Sequence, residues 1–278
     1  MAETDSRRHP ASLAFDVGAA TDRGSVRELN EDSFLAREPV FAVADGMGGH
    51  EAGEVASRLC IESLADEPVL RPGRRTVTAL DVILAVRRAD LSIREATGAL
   101  AGTTLAAAIL TEGEDGALAW LVANVGDSRV YLEFEGEFAQ LTEDHSEVWE
   151  LLALGELTPE EARVYPRRNV VTRALGTGFD ADPDLWTFPA SPGQRLLVCS
   201  DGLTCELEDD QIAGVLAEHG DPQAAADALV AAALEAGGSD NVTVVVVGVR
   251  AGDDDAVAGG GEEDDDGAPV PPLPLSEG

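Results

Sequence analysis

Short, dense apolar runs alternate along the chain with segments of helical period. Leu13 to Ala20 and Val40 to Ala44 read as buried strands. Glu51 to Ala65 places Ala52, Val55, Ala56, Leu59, Cys60 and Leu64 on one face and predicts an amphipathic helix. Val77 to Ala96 predicts a second, with Leu80, Ile83, Leu84, Ala85 and Leu91 inward. Strand-like runs follow at Thr103 to Leu110, Ala117 to Asn124 and Ser128 to Phe134, with GEDG and FEGE as turns. Their adjacency argues for antiparallel meanders rather than strand–helix–strand units. Glu147 to Val164 is helical but broken by Gly155 and Pro159. Leu196 to Asp201 is a buried strand, Asp209 to Glu218 and Pro222 to Ala236 are helices, and Thr243 to Val249 is a last buried strand.

The 278 residues suit one large domain or two small ones, and the 44% hydrophobic content suits a core built mainly from Ala, Val and Leu. Residues 1–11 are polar and expected to be loose. The compact domain is expected over 12–250. Residues 251–278 hold nine acidic and no basic residues, with a Pro-rich end, a composition expected to stay disordered. Net charge is −34, and all nineteen basic residues are arginine. That surface disfavours nucleic acid and anionic membrane as partners. No apolar run is long enough to span a bilayer, and the N-terminus lacks a secretory apolar segment. Cys60, Cys199 and Cys205 show no framework spacing, which predicts a reduced, cytoplasmic setting. A monomer is expected.

Chemistry concentrates where apolar runs meet aspartate and glycine. VFAVADG, LLVCSDG and GGSDNVTVVVV place Asp45, Asp201 and Asp240 at strand ends beside a glycine, and Asp127 in VANVGDSRVYL lies between two strands. A lone Asp-Gly pair is more often just a turn. Four such sites can converge, and convergent carboxylates cannot all stay ionised without a cation. Oxygen donors without paired His or Cys favour Mg²⁺ or Mn²⁺ over zinc. Gly46, Gly48 and Gly49 after Asp45 suggest that something approaches the backbone closely.

Eight stretches, in order, resemble the metal-dependent serine/threonine protein phosphatases of type 2C (the PPM family) in bacterial form. They are TDRGSVRELNEDSF, VADGMGGHEAGEVAS, AGTTLAAAIL, ANVGDSRVYL, LTEDHSEV, NVVTRALG, LLVCSDGL and GGSDNVTVVVV. The resemblance implies an α+β fold, a four-layer α-β-β-α sandwich of two antiparallel sheets flanked by helices. It implies a centre of two Mn²⁺ or Mg²⁺ ions, with Asp45 bridging both, the Gly46 carbonyl on one, and Asp201 and Asp240 on the other. Asp127 matches a ligand of a weaker third ion. Glu31 and Asp32 would hold metal-bound waters from behind these ligands. Arg27 matches the phosphate-binding arginine, although it could instead pair with Glu31 one helical turn on. The implied reaction is hydrolysis of phosphoserine and phosphothreonine by direct attack of a metal-bridging hydroxide, opposing Ser/Thr kinases on phosphoprotein substrates.

Met47 stands where animal-type members carry a histidine, which leaves the acid for the leaving group unassigned; His50 is expected to be structural. Cys205 stands where some members carry an acidic residue, which weakens the third-ion assignment. Ser146 to Asn169 matches the flap beside the family's active site, where Arg167 and Arg168 could steer a phosphopeptide or pair with acidic neighbours, and Trp149 is expected to pack. Alternatives are a phosphatase dedicated to one regulator, such as an anti-anti-sigma factor, and a binding-only pseudophosphatase. A nucleotide-binding protein fails for want of a GxxxxGK[ST] motif and of any lysine.

Overall fold

The computed structural model describes residues 13–48, 52–113, 116–178 and 182–252. The expectations for residues 1–11, for Gly49 and His50, and for the acidic tail beyond 252 lie outside the described residues.

Two antiparallel sheets stack face to face. The first contains β1 (Leu13–Asp22), β7 (Arg129–Phe134), β8 (Glu137–Gln140), β10 (Arg195–Cys199) and β11 (Val242–Ala251). Its order is β1-β11-β10-β7-β8. The second contains β2 (Asp32–Arg37), β3 (Val40–Gly48), β4 (Ala101–Thr103), β5 (Leu105–Glu112), β6 (Leu118–Val125) and β9 (Asp184–Pro189). Its order is β2-β3-β5-β6-β9, with β4 paired to β3.

The apolar runs are dense because both faces of each sheet are buried. Along β3, Val40, Ala42 and Ala44 pack with α1 (Ala52–Asp66) and α2 (Ala79–Thr97), while Phe41 and Val43 face the other sheet. Along β11, Val244 and Val246 meet α6 (Asp209–Glu218) and α7 (Pro222–Ala236), while Val245 and Val247 enter the same inter-sheet core. This strict alternation puts two helices outside each sheet and makes four layers. Each fully buried Val contributes roughly 1.5–3 kcal/mol. At the centre, Trp120 meets Phe15 and Phe41 edge-on and donates its indole N–H to Gln194 at 3.2 Å.

Three expectations change. The helix over Val77 to Ala96 forms, but its buried face is Val82, Ala85, Val86, Ala89 and Ile93; Leu80 and Leu91 are 62% and 54% exposed. Both stripes have helical period. The leucine stripe also carries Arg87 and Arg88, whose burial would cost more than the leucines return. Thr78 and Asp81 form a reciprocal capping box that fixes where this helix starts.

The expected meander holds for β5 and β6, which pair with each other, but β7 leaves for the opposite sheet and pairs with β10 and β8. The switch occurs at Gly126-Asp127-Ser128, where Gly126 has a φ of +103°. The hairpin from β7 to β8 turns on Glu135 and Gly136, both with positive φ, as a two-residue primed turn needs.

The run from Thr103 to Leu110 splits into β4 and β5, because Thr104 turns its amide to the Asp45 carbonyl at 2.9 Å.

Candidate active site

Four connections bring acidic groups to one end of the sandwich. Asp45 lies inside β3, opposite Asp32 in the β2–β3 register, so two carboxylates face each other across the ladder. Asp127 sits in the link that changes sheets. Asp201 does not end a strand as expected: it begins α5 (Asp201–Thr204) directly after β10. Asp240 precedes β11. Arg27, Glu31, Asp45, Gly46, Asp127, Asp201 and Asp240 all line one cavity of about 280 Å³. Asp32 lies behind it, where Ser200 Oγ donates to its Oδ2 at 2.8 Å and its Oδ1 is buried without a hydrogen-bond partner.

Much of this positioning comes from residues the sequence reading did not single out. Asp45 donates its N–H to Thr104 Oγ1 at 3.0 Å, and its carbonyl accepts from Thr103 Oγ1 at 2.9 Å. Thr104 Oγ1 in turn lies 2.7 Å from Ser128 Oγ, beside Asp127. Asn241 holds the loop that carries Arg27: its Nδ2 donates to the carbonyls of Arg23 and Leu29, and its Oδ1 accepts from Glu31 N–H at 2.8 Å. These residues lie within the motifs AGTT, GDS and SDN, so the signal was present. Small hydroxyl and amide side chains carry no chemistry by type, and only the three-dimensional arrangement shows whose backbone they fix.

The glycine after Asp45 has a protein-internal cause. A Cβ on Gly46 would collide with the Gly53 carbonyl in α1 and approach the Glu31 carbonyl at 2.6 Å. The backbone that comes close is that of α1 and of the Arg27 loop, so Gly46 is required for packing whatever its own carbonyl binds. Gly48 is similarly pressed against Ala101.

Electrostatics divide the acidic residues. Burial pushes Asp45, Asp127 and Asp201 above the usual carboxylate range, and their neighbours push them further. Asp45 and Asp201 lie close enough to act on each other, and the Asp45 carboxyl is raised by burial and also by the charge of Asp201. Asp32 is pushed up to about 7 by burial, against hydrogen bonds from Thr243 and Ser200. Glu31 is raised by burial, yet its carboxylate accepts the backbone N–H groups of Gly53 and Glu54 at the start of α1. Arg27 does not pair with Glu31: its Nη2 donates to Asp240 Oδ2 at 2.6 Å, with half of the guanidinium side chain open to solvent.

A divalent cation fits this donor set. The groups are all oxygen, mutually repelling and desolvated, which is what hard cations relieve. Among the described residues, no three His, Cys, Asp or Glu side chains are already gathered in a ligating cluster. Asp240 is instead held by Arg27.

The model of protein phosphatase 2C matches residues 23–235. The chain belongs to the protein phosphatase 2C family. It is 41% identical over 206 residues to the serine/threonine protein phosphatase PstP of Mycobacterium tuberculosis, a match covering 72% of this chain and 38% of that protein. The chain thus spans well under half the length of that relative. It is 38% identical over 215 residues to the serine/threonine phosphatase stp of Listeria monocytogenes, covering 70% of this chain and 81% of that one. The solved catalytic domain of PstP in complex with two manganese ions superposes with a TM-score of 0.76 at 39% identity, over 86% of this chain and all of that one. A Mycobacterium smegmatis PPM Ser-Thr phosphatase in complex with cacodylate superposes with a TM-score of 0.73 at 40% identity, over 86% of this chain and 99% of that one. These structures share the two antiparallel sheets flanked by helices.

Cys199 is buried in β10 and pushed up to about 12 by burial, a core thiol. Cys205 is exposed, with Sγ 3.7 Å from Asp201 Oδ2. The flap holds α3 (Glu147–Ala153) and α4 (Pro159–Arg163), separated by a turn with Gly155 at φ +70°. Arg167 pairs with Glu147 at 2.6 Å.

Proposed function

We propose that this chain is a metal-dependent protein serine/threonine phosphatase that hydrolyses phosphoserine and phosphothreonine. The observation that carries the reading is the set of buried carboxylates at one cavity, lacking a full protein counter-charge and flanked by Arg27. Asp45, Asp201 and Asp240, with the Gly46 carbonyl, would hold two Mn²⁺ or Mg²⁺ ions, and Asp127 would serve a weaker third. When bound, such ions supply Lewis-acid charge and an activated water for hydrolysis of a phosphomonoester.

The chain's own groups supply orientation and charge. Arg27 exchanges its contact with Asp240 for the phosphate oxygens and offsets the charge that builds on them during transfer. Asn241 keeps the Arg27 loop in register with Asp240. Glu31 fixes the start of α1, and Asp32 buttresses Asp45 from behind; both would reach metal-bound water rather than the ions. No protein acid is assigned for the leaving alkoxide, since Met47 lines the cavity at the relevant position.

The enzyme would oppose Ser/Thr kinases in signalling, as a monomer in the cytoplasm. Three free cysteines support a reducing compartment, and no helix among the described residues is long and apolar enough to cross a membrane. The test is hydrolysis of a phosphothreonine peptide with Mn²⁺, with Mg²⁺ and with excess chelator. Turnover that requires a divalent ion supports the proposal. A folded protein that binds Mn²⁺ and turns over nothing would overturn it.

A further inference from the structure

A second cavity of about 360 Å³ adjoins that of the acidic centre, and the two share Asp127, Asn169 and Asp201 in their walls. Its outer wall is the flap. Five of the seven residues of α3, EVWELLA, are apolar, yet the helix buries no residue fully. Trp149 and Leu152 turn toward this cavity and stay half-buried, and Ala162 of α4 completes the apolar wall. The flap is anchored at its base, where Ser146 bridges Val171 and Glu147 N–H donates to the Val170 carbonyl at 2.9 Å. Its apolar side is therefore held open over the cavity.

Two guanidiniums also face it. Arg129 is held by Asp144, and Arg168 makes no ion pair among the described residues. We propose that this cavity is a specificity pocket for one uncharged apolar side chain, of Leu to Phe size, on the phosphopeptide whose phosphoryl group lies at Arg27. The proposal rests on the phosphatase reading and names its substrate class more narrowly. Charge decides the occupant. A Lys or Arg side chain would enter beside Arg129 and Arg168. An Asp or Glu side chain would enter beside Asp127, Asp144 and Asp201. Each charge type therefore meets like charge on entry, whereas an apolar side chain covers the exposed faces of Trp149 and Leu152 and needs no hydrogen bond. The shared wall with the phosphate cavity makes the peptide itself the occupant, since residues flanking a phosphothreonine seated at Arg27 would pass beside it.

The test uses the full chain with Mn²⁺ and phosphothreonine peptides bearing Phe, Leu, Ala, Lys or Glu at each flanking position in turn. The expected result is one position at which Phe or Leu raises kcat/KM over Ala by roughly tenfold or more, with Lys and Glu at or below Ala. Leu152→Asn should bring the Phe-to-Ala ratio close to one, as should Thr204→Trp, which fills the pocket from the opposite wall; circular dichroism checks that each variant folds. Hydrolysis of p-nitrophenyl phosphate, which has no flanking residue, reports the phosphatase reading alone. If the wild type hydrolyses it and shows no flanking preference, the pocket is overturned and the phosphatase stands. If nothing is hydrolysed, binding of fluorescent phosphonate peptides decides: a Phe-over-Ala preference lost in Leu152→Asn supports the pocket, and equal affinity overturns it.

Discussion

Two groups of buried acids lie at the same end of the sandwich and are built in opposite ways. Asp144 is almost fully buried and completely answered: Arg129 donates to both of its oxygens, at 2.7 to 3.1 Å, and Gln140 adds a third donor at 2.8 Å. The network runs on from Arg129 to Tyr131 at 2.8 Å and from Tyr131 to Asp209 at 3.0 Å. Burial lowers the Arg129 pKa, but Asp144 outweighs it and the guanidinium stays firmly charged. A short distance away, Asp32, Asp45, Asp127 and Asp201 face one another, and all four are raised by burial and by their neighbours. The nearest cations, Arg27 and Arg129, are each taken by another carboxylate. An acid cluster with its counter-charge inside the protein is structure; one without it has a place for a charge from outside.

The comparison breaks most sharply by mutation. Asp45→Asn or Asp240→Asn should lower kcat/KM by at least on the order of 10³-fold. In chelator, the melting temperature of Asp45→Asn should equal or exceed wild type, because the substitution removes one of several buried, mutually repelling acids. Activity close to wild type in either variant would sink the metal assignment. Arg129→Met should do the reverse. Leaving Asp144 buried and unpaired should cost roughly 3–5 kcal/mol of stability, read from urea unfolding, and pairing it with Asp144→Leu should recover most of that loss. If Arg129→Met were as stable as wild type, Asp144 would belong with the uncompensated group.

The contrast also explains what the sequence could reveal. The apolar runs fixed the sandwich, because alternation along β3 and β11 leaves both faces needing cover, and the aspartates at the ends of those runs marked the site. Partner choice was not legible. Arg27 could reach Glu31 by helical spacing, but the loop is not a helix, and Asn241 turns it so that Arg27 meets Asp240. The face of α2 was equally ambiguous: two stripes had the right period, and the cost of burying Arg87 and Arg88 selected the one with smaller side chains. The split of β4 from β5 and the change of sheet at Asp127 depend on hydrogen bonds between segments some 20 to 60 residues apart, which no local pattern encodes.

Arg27→Ala gives an intermediate effect. It removes a guanidinium that neutralises Asp240 at rest and, in the proposed reaction, phosphate charge in the transition state. A loss of roughly 10²-fold in kcat/KM is expected, with Mn²⁺ affinity unchanged or raised because Asp240 is freed. Unchanged kcat/KM would remove Arg27 from phosphate binding. A fall in both quantities would make it a support for Asp240 alone.

The gentlest probe is proton linkage. Burial pushes Asp32 up to about 7 from an ordinary value of 3.8, and Asp45, Asp127 and Asp201 are raised as well. Without cations, the folded state therefore binds more protons than the unfolded one between those values. The sign follows: stability from these groups is fully present below the unfolded pKa and is lost as pH rises through the folded one. Arg129 contributes no such loss near neutrality, since its guanidinium stays charged throughout. Bound Mn²⁺ or Mg²⁺ would replace the protons, so the gap in melting temperature between cation-loaded and chelated protein should widen as pH rises from about 5 to 8, by roughly 2–4 °C for each kcal/mol restored. Taking the difference cancels acids elsewhere in the molecule that titrate alike in both samples. Asp45→Asn should flatten the trend and Arg129→Met should leave it in place. A gap independent of pH in the wild type would mean that the four acids are compensated in some other way, and the distinction between the two clusters would fall.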